Sequence, residues 1–312
     1  MPNKRSIIDR SLRTISLRNR KSKVSLEEFA KPYARGGTFR KWVDGLPRIL
    51  AAKDLAEIVE AVREARSAGR PILFGLGAHV IKVGLVPVFL DLMKRGFVSG
   101  LALNGAGAIH DLELALVGRT SEDVEAGLGD GSFGMAEETS THLNRAVREG
   151  HTKGWGLGRS VGEYILRSDF PHRGQSLFAR AADQNIPATV HLSIGTDVNQ
   201  MHASFDGEAF GGASHRDFRR FCELVGELDG GIYFNVGSAV LLPEVFLKAL
   251  TVARNLGKRV RSFTTVNFDF IKHYRPTRNV IERPTRKGGR GYELFGHHEI
   301  LIPLLAAMLI DR

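Results

Sequence analysis

The stretch LALNGAGAIHD, residues 101–111, decides how the rest of the chain is interpreted. Its apolar first half predicts a β-strand that ends at Asn104. Small residues follow from Gly105 to Gly107, and an apolar helical pattern begins at about Leu112. The sequence therefore predicts a strand, a tight loop and a helix. Such a unit either holds a dinucleotide or is simply a glycine-rich turn.

Strands and helices alternate from about residue 54 to the end of the sequence. The apolar segments RPILFGLG, PATVHLSIGTD, GGIYFNVGSAV and RVRSFTTVNFD predict four more strands, and helical patterns such as PEVFLKALTVARNLG lie between them. This alternation is typical of parallel strands joined by right-handed crossovers. We therefore predict a doubly wound α/β fold of the Rossmann type, with a mostly parallel sheet and helices on both faces. Its five strand-to-loop junctions would share the carboxyl edge of the sheet, where such folds bind ligands.

The positive charge of the chain is concentrated in two segments. Residues 3–24 carry a net charge of +7 and residues 258–290 carry +8, so the remainder carries −5 of the total of +10. We predict a basic N-terminal arm, residues 1–45, and a single α/β domain, residues 46–312. Because the charge is local, a nucleic-acid partner is not expected. The arm is interpreted as a solvated segment; contact with an acidic partner or another subunit, or a transit peptide, is the alternative.

The composition excludes several other classes of protein. The sequence contains no uninterrupted apolar run of about 18 residues, so it predicts no membrane span. Its single cysteine, Cys222, rules out an internal disulfide and a cysteine-based zinc site. This cysteine usage predicts a reduced, cytoplasmic setting. The histidines between residues 191 and 215 match no zinc spacing, and we predict no metal site.

The glycines after the predicted strand only partly match a dinucleotide loop. That loop needs the pattern G-x-G-x-x-G, which lets backbone N–H groups approach the phosphates at a helix N-terminus. The third glycine position is held by His110 here, and by Val80 in the earlier FGLG segment. His110 and Asp111 could form an acid–base pair, or Asp111 could be a helix N-cap. Both interpretations of the loop stay open on pattern alone.

From about residue 70 to the end, the order of segments resembles the deoxyhypusine synthase family. GAHVIKVGL resembles the family's Ser-Asn-Leu-Ile-Ser-Ser-Gly-Ile segment, and ALNGAGAIHD is similar to its Thr-Thr-Ala-Gly-Gly-Val-Glu-Glu-Asp loop. NIPATVHLSIGTD shares Ile-Pro and Thr-Asp with the corresponding family segment. GGIYFNVGSAV lies where the family has an apolar strand and a glycine triplet, FTTVNFD lies where it has Asn-Thr-Ala-Gln-Glu-Phe-Asp, and EILIPLLAAM resembles its C-terminal helix.

The resemblance implies an NAD-binding enzyme, usually a homotetramer with sites at dimer interfaces. The family oxidises the polyamine spermidine with NAD and transfers its aminobutyl group through an imine, to a lysine or, in homospermidine synthases, to a free diamine. We therefore predict an NAD-dependent transferase. The residues expected near the cofactor are Gly77, His79, Asn104, Gly105, Gly107, Asp111, Gly237, Ser238, Thr265 and Asn267.

Three residues are predicted to carry the chemistry under this resemblance. Asp197 would orient an amine, His110 would move a proton, and Lys287 would form the imine. The sequence also departs from the family, because the Trp-Gly pair before its catalytic lysine is missing and Leu241 and Leu242 replace two adjacent histidines. A divergent nucleotide-binding protein without transferase activity, regulatory or structural, is therefore the alternative.

Overall fold

The computed structural model describes residues 12–311, and the first eleven residues of the predicted basic arm lie outside this range. The chain divides into two compact units, with the boundary between Lys53 and Asp54. In the first unit, two 3-10 turns, Leu17–Asn19 and Leu26–Glu28, precede helix α1, Phe39–Asp44. The side-chain hydroxyl of Thr38 caps α1 by accepting from the N–H of Lys41.

A single six-stranded sheet forms the centre of the second unit. The strands are β1 (Ile72–Leu76), β2 (Gly100–Asn104), β3 (Ala188–His191), β4 (Ile232–Val236), β5 (Thr264–Asp269) and β6 (Arg290–Phe295). They are all parallel, in the order β3-β2-β1-β4-β5-β6. The strand order reverses direction between β1 and β4, and doubly wound folds bind ligands at the carboxyl edge of such a switch point. The predicted fold class is confirmed.

Helices connect the strands. In chain order they are α2 (Leu50–Ser67), α3 (His79–Lys82), α4 (Val86–Lys94), α5 (Gly105–Val117), α6 (Val124–Leu128), α7 (Glu137–Thr152), α8 (Leu157–Leu166), α9 (Leu177–Asp183), α10 (Gly207–Gly226), α11 (Leu241–Asn255), α12 (Tyr274–Pro276), a π-helical turn (Thr277–Glu282), α13 (Arg283–Thr285) and α14 (His298–Asp311). Among residues 12–311, no helix is both long and apolar enough to cross a membrane.

Helices cover both faces of the sheet, so the central strands are apolar along their whole length. All five residues of β4 are buried. On one face Phe74 stacks on Phe234, with ring centroids 4.5 Å apart. On the other face Tyr233 stacks on Phe246 of α11 at 4.0 Å. This packing fixes β1 against β4 and therefore fixes the two loops that leave them.

Two elements differ from the sequence prediction. Helix α5 begins at Gly105, not at Leu112, because Asn104 acts as its N-cap and accepts from the N–H of Gly107 at 3.0 Å. Strand β6 was not predicted, because its sequence RGYELF begins with a charged residue and a glycine and alternates in exposure. Such a pattern is typical of an edge strand, which is what β6 is.

Candidate functional site at the carboxyl edge

The loops after β1 and β4 approach each other closely at the switch point. The N–H of Gly77 donates to the carbonyl of Val236 at 2.8 Å, and the N–H of Gly237 donates to that of Phe268 at 2.9 Å. A Cβ atom on Gly77 would collide with the carbonyl oxygen of Gly237. Gly237 also has a φ of +64°, which favours glycine. Both predicted glycines therefore build the mouth of the crevice.

A pair of histidines lies at this mouth. His79, in the first turn of α3, places its Nδ1 3.0 Å from the Nδ1 of His298, the first residue of α14. The Nε2 of His298 lies 3.1 Å from the carbonyl oxygen of Phe268. His298 is fully buried, whereas His79 is partly exposed. The pair therefore joins the sheet interior to the crevice.

The hydrogen bonds assign the protons of this pair. A carbonyl oxygen only accepts, so the Nε2 of His298 carries a proton and its Nδ1, in the neutral ring, is an acceptor. With the His298 ring neutral, the Nδ1 of His79 donates and its Nε2 keeps a free lone pair. Burial and the neighbouring His298 and Lys82 lower the pKa of His79, outweighing the attraction of nearby carboxylates. His79 is thus a neutral, oriented proton acceptor at neutral pH.

Aromatic and acidic groups surround the pair. The ring of Phe270, which is half-exposed, lies 5.8 Å from that of His79 and 6.1 Å from that of His298. Asp269 is buried at the end of β5 and accepts from the N–H of Phe270. Ser238, a predicted cofactor neighbour, instead accepts from the N–H of Leu242 through its hydroxyl and so supports the start of α11.

The loop between β2 and α5 is capped by the chain itself. The carboxylate of Asp197 lies against Gly105, where any Cβ would collide with it, and accepts from the N–H of Ala106. Burial raises the pKa of Asp197 to about 6, although bonds from Ala106 and Thr196 oppose the shift. The N-terminus of α5, where a Rossmann fold can hold a phosphate, therefore already faces a carboxylate. Asp197 is placed as a cap for this helix.

Asp111 lies in the interior rather than in the crevice. Its carboxylate accepts from the Ser176 hydroxyl at 2.5 Å and from the N–H groups of Leu177 and Phe178 at 2.8 and 3.3 Å. It therefore caps α9, and burial raises its pKa to about 6 against these bonds. The side chain has no exposed surface, so the structure places Asp111 as a buried cap, and its role as a cofactor neighbour stays a prediction.

His110 belongs to a separate polar network. Thr120 donates to Glu113 at 2.5 Å, so its oxygen accepts from the Nδ1–H of His110 at 2.6 Å. Thr139 donates to the other Glu113 oxygen. Burial raises the pKa of Glu113, but these hydrogen bonds outweigh it and the net shift is downward. Glu113 thus holds His110 in one orientation through Thr120, apart from the histidine pair at the switch point.

Thr265 and Asn267 are buried within β5, behind the carboxyl edge. Asn235 donates to the Oδ1 of Asn267 at 2.8 Å, and Asn267 donates onward to Glu293 at 3.4 Å. These amides cross-link β4, β5 and β6 inside the sheet. Neither Thr265 nor Asn267 has exposed surface, so the structure places both inside the sheet, and their role as cofactor neighbours stays a prediction.

Lys287 lies at the opposite edge of the sheet. It follows α13 and precedes β6, so it belongs to a helix-to-strand connection at the amino edge. The six residues of β6 span about 20 Å, which separates Lys287 from the histidine pair. The structure thus places Lys287 away from the histidine pair of its own chain, and its role in forming an imine stays a prediction.

Sequence reasoning also missed His298 and Phe270. His298 follows an apolar strand and a glycine in the segment LFGHHEI. The other strand ends show the same pattern. Recognising β6 would have placed this histidine at the carboxyl edge. Within residues 12–311, no group of three or more His, Cys, Asp or Glu side chains could hold a metal ion.

Solved structures share this fold at low sequence identity. They include AgrE, solved with ornithine and NAD+, at 15% identity and a TM-score of 0.55. A LOR/SDH-type protein from Methanococcus maripaludis aligns at 16% and 0.54, and a protein described as a deoxyhypusine synthase from Entamoeba histolytica at 9% and 0.54. The alignments cover 85%, 82% and 90% of this chain and 34%, 69% and 96% of those chains, respectively.

This chain spans about a third of the length of AgrE. No protein-family model and no curated protein matches the sequence. The resemblance to deoxyhypusine synthases is thus confirmed at the level of the fold and not beyond it.

Proposed function

We propose that this protein is an NAD-linked enzyme that oxidises a small amine at the switch point, with His79 as the proton acceptor. The observation that carries the proposal is the oriented histidine pair at the place where this fold class binds ligands. Two solved structures of the same fold support it, one described as a deoxyhypusine synthase and one solved with ornithine and NAD+.

The residues of the crevice fit a dinucleotide. Gly77 and Gly237 let the two loops cross in close contact, because a Cβ on Gly77 would collide with the Gly237 carbonyl and one on Gly237 would collide with the His298 ring. Phe270 offers a half-exposed ring for stacking beside the histidines. The N-terminus of α5 is closed by Asp197, so the loops after β1 and β4 would hold the phosphates. Bound NAD would accept a hydride from the carbon that bears the amine.

His79 would take the proton that the amine must lose before its carbon is oxidised. Its Nε2 has the free lone pair, and its lowered pKa keeps that lone pair available at neutral pH. His298 is a positioning residue, because its bond to the Phe268 carbonyl fixes the tautomer of His79. His110, held by Thr120, stays a candidate for moving a second proton.

Transfer of an aminoalkyl group is the finer form of this proposal. Since Lys287 lies at the amino edge, we propose that the group is transferred to a free amine without an imine on that lysine. The homotetramer implied by the family resemblance is also proposed, and light scattering on the purified protein tests it. Residues 1–45 are proposed as an arm outside the catalytic machinery.

The test combines calorimetry with NAD and an assay of NADH formation over a panel of amines that includes spermidine and ornithine. His79→Gln should retain NAD binding and lose turnover by about 10²- to 10⁴-fold. The matched control is His142→Gln. His142 lies on α7, and its Nδ1 is hydrogen-bonded to the hydroxyl of Tyr164. Because the pKa of His79 is lowered, the turnover rate should fall only when the pH drops below the usual range of histidine pKa values. Unchanged turnover in His79→Gln would refute the assignment of the base.

Two other outcomes separate the alternatives. Folded protein that does not bind NAD would overturn the whole proposal. Protein that binds NAD but oxidises no amine in the panel would favour the divergent nucleotide-binding protein without transferase activity.

A further inference from the structure

A strongly basic cavity lies at the amino edge of the sheet, where the connections before β5 and β6 meet. Its volume is about 730 Å³. Five arginines and two lysines line it, and no acidic side chain does: the cations are Arg254, Lys258, Arg259, Arg261, Arg283, Arg286 and Lys287. The carboxyl-edge crevice opens at the other end of the strands, so this cavity is a separate feature.

Hydrogen bonds hold two of the arginines that line the cavity in fixed positions. The guanidinium of Arg254 donates to the carbonyl of Val260 at 2.8 and 3.0 Å and to that of Pro284 at 3.1 Å. It thereby ties the connection before β5 to the connection before β6. Burial, followed by repulsion from Arg261, lowers the pKa of Arg254. Arg283 is likewise held, by the side chain of Asn279 at 2.6 Å.

Among the described residues, three cations in the cavity, Arg261, Arg286 and Lys287, have no carboxylate paired with them, whereas the charge of Arg259 acts on the carboxylate of Asp229. Lys258 pairs with Glu227, but the structure shows no side-chain hydrogen bond or ion pair for Arg259, Arg261, Arg286 or Lys287 within residues 12–311. Cations that converge without counter-charges repel each other, and an anionic ligand would remove that repulsion. The fold keeps them together through the hydrogen bonds of Arg254.

We propose that this cavity binds a compact ligand that carries two or more phosphate groups. The planar guanidinium matches phosphate oxygens in a bidentate manner, and arginines outnumber lysines here. The acidic surroundings favour a compact ligand over a long nucleic acid. Asp229 accepts from the N–H groups of Arg261 and Ser262, and Glu227 pairs with Lys258, so carboxylates border the cavity.

The experiment is isothermal titration of the full chain with inorganic tripolyphosphate at fixed salt. We expect one site per chain. Arg261→Ala combined with Arg286→Ala should weaken binding by about tenfold or more, since each removes a charge-assisted contact. Both side chains are exposed and carry no structural bond, so the fold should survive, and circular dichroism verifies this.

The matched control is Arg119→Ala combined with Arg148→Ala, two exposed arginines outside the cavity, and it should bind as the wild type does. Equal weakening in both double variants, no binding by folded protein, or equal displacement by sulfate would overturn the proposal. Tighter binding of a short single-stranded oligonucleotide than of tripolyphosphate, lost in the cavity variant, would overturn it in favour of nucleic acid.

A second titration, with NAD present in excess, separates this cavity from the carboxyl-edge crevice. We expect the same affinity for tripolyphosphate with and without NAD, because the two sites lie at opposite ends of the strands. Competition by NAD would overturn the proposal of a separate phosphate site. Since the first titration contains no NAD, its outcome does not depend on whether the proposed enzyme binds that cofactor.

Discussion

Replacing Asp197 by asparagine tests whether the loop at residues 104–107 is closed by the protein's own carboxylate. In the wild type this carboxylate is buried against Gly105, and burial raises its pKa from 3.8 to about 6. A carboxyl group with a raised pKa stabilises the fold most when it is protonated, and this contribution is lost as the pH rises through the folded-state pKa. The amide of the Asp197→Asn variant is neutral at every pH and would show no such loss.

The magnitude follows from the two pKa values. A shift of this size corresponds to about 3 kcal/mol over the full range, of which about 2 kcal/mol falls between pH 4.5 and 7.5. The unfolding free energy of the wild type, minus that of the Asp197→Asn variant, should therefore fall by about 2 kcal/mol over this interval. Taking the difference cancels the contribution of every other titrating group that the two proteins share to the pH dependence of unfolding.

The assay is urea unfolding of both proteins at several pH values between 4.5 and 7.5. Asp183→Asn, which replaces an exposed partner of Arg180, is the control and should give a difference that is nearly independent of pH. A difference for Asp197→Asn that stays constant with pH would contradict the reasoning. It would show that the carboxylate is solvated and that the N-terminus of α5 is open.

Two further substitutions test the scaffold of the site. The carboxylate of Asp217 accepts from the buried N–H groups of Gly158 and Val190, each at 2.8 Å. Asp217→Ala leaves both groups without an acceptor, so the free energy of unfolding in urea should fall by about 2–5 kcal/mol. A fall of less than about 1 kcal/mol would argue against this role. Gly77→Ala pushes a Cβ into the Gly237 carbonyl, so stability should fall by about 1–3 kcal/mol and calorimetry should show weaker NAD binding; wild-type values in both measurements would place the crevice elsewhere.

The fold could be predicted because its strands carry their own signals. Strands β1 to β5 are apolar runs that end in small or polar residues, and they are buried on both faces of the sheet. Strand β6 buries only two alternate residues, Tyr292 and Leu294, so its apolar content is low. The start of α5 was predicted too late because glycines form the first turn, where Asn104 and Asp197 hold the backbone.

The sequence indicated where the candidate site lies better than it indicated which residues form it. Gly77, His79 and Gly237 lie at the switch point because parallel strands bring their carboxyl ends together. Their partner His298 comes from a helix 219 residues away from His79, and no local pattern encodes that contact. The role of Asp111 could not be predicted for the same reason, since its partners on α9 are 65 to 67 residues away.

The position of Lys287 shows how the placement of a residue in a parallel sheet depends on counting strands. A residue between β5 and the end of the chain belongs to the carboxyl edge if no strand follows it, and to the amino edge if it immediately precedes another strand. One missed strand therefore moves Lys287 to the other end of the sheet, away from His79. The same count places the unpaired arginines beside Lys287. Their charge faces a ligand at the amino edge, where it cannot repel a cationic amine in the crevice at the other end of the strands.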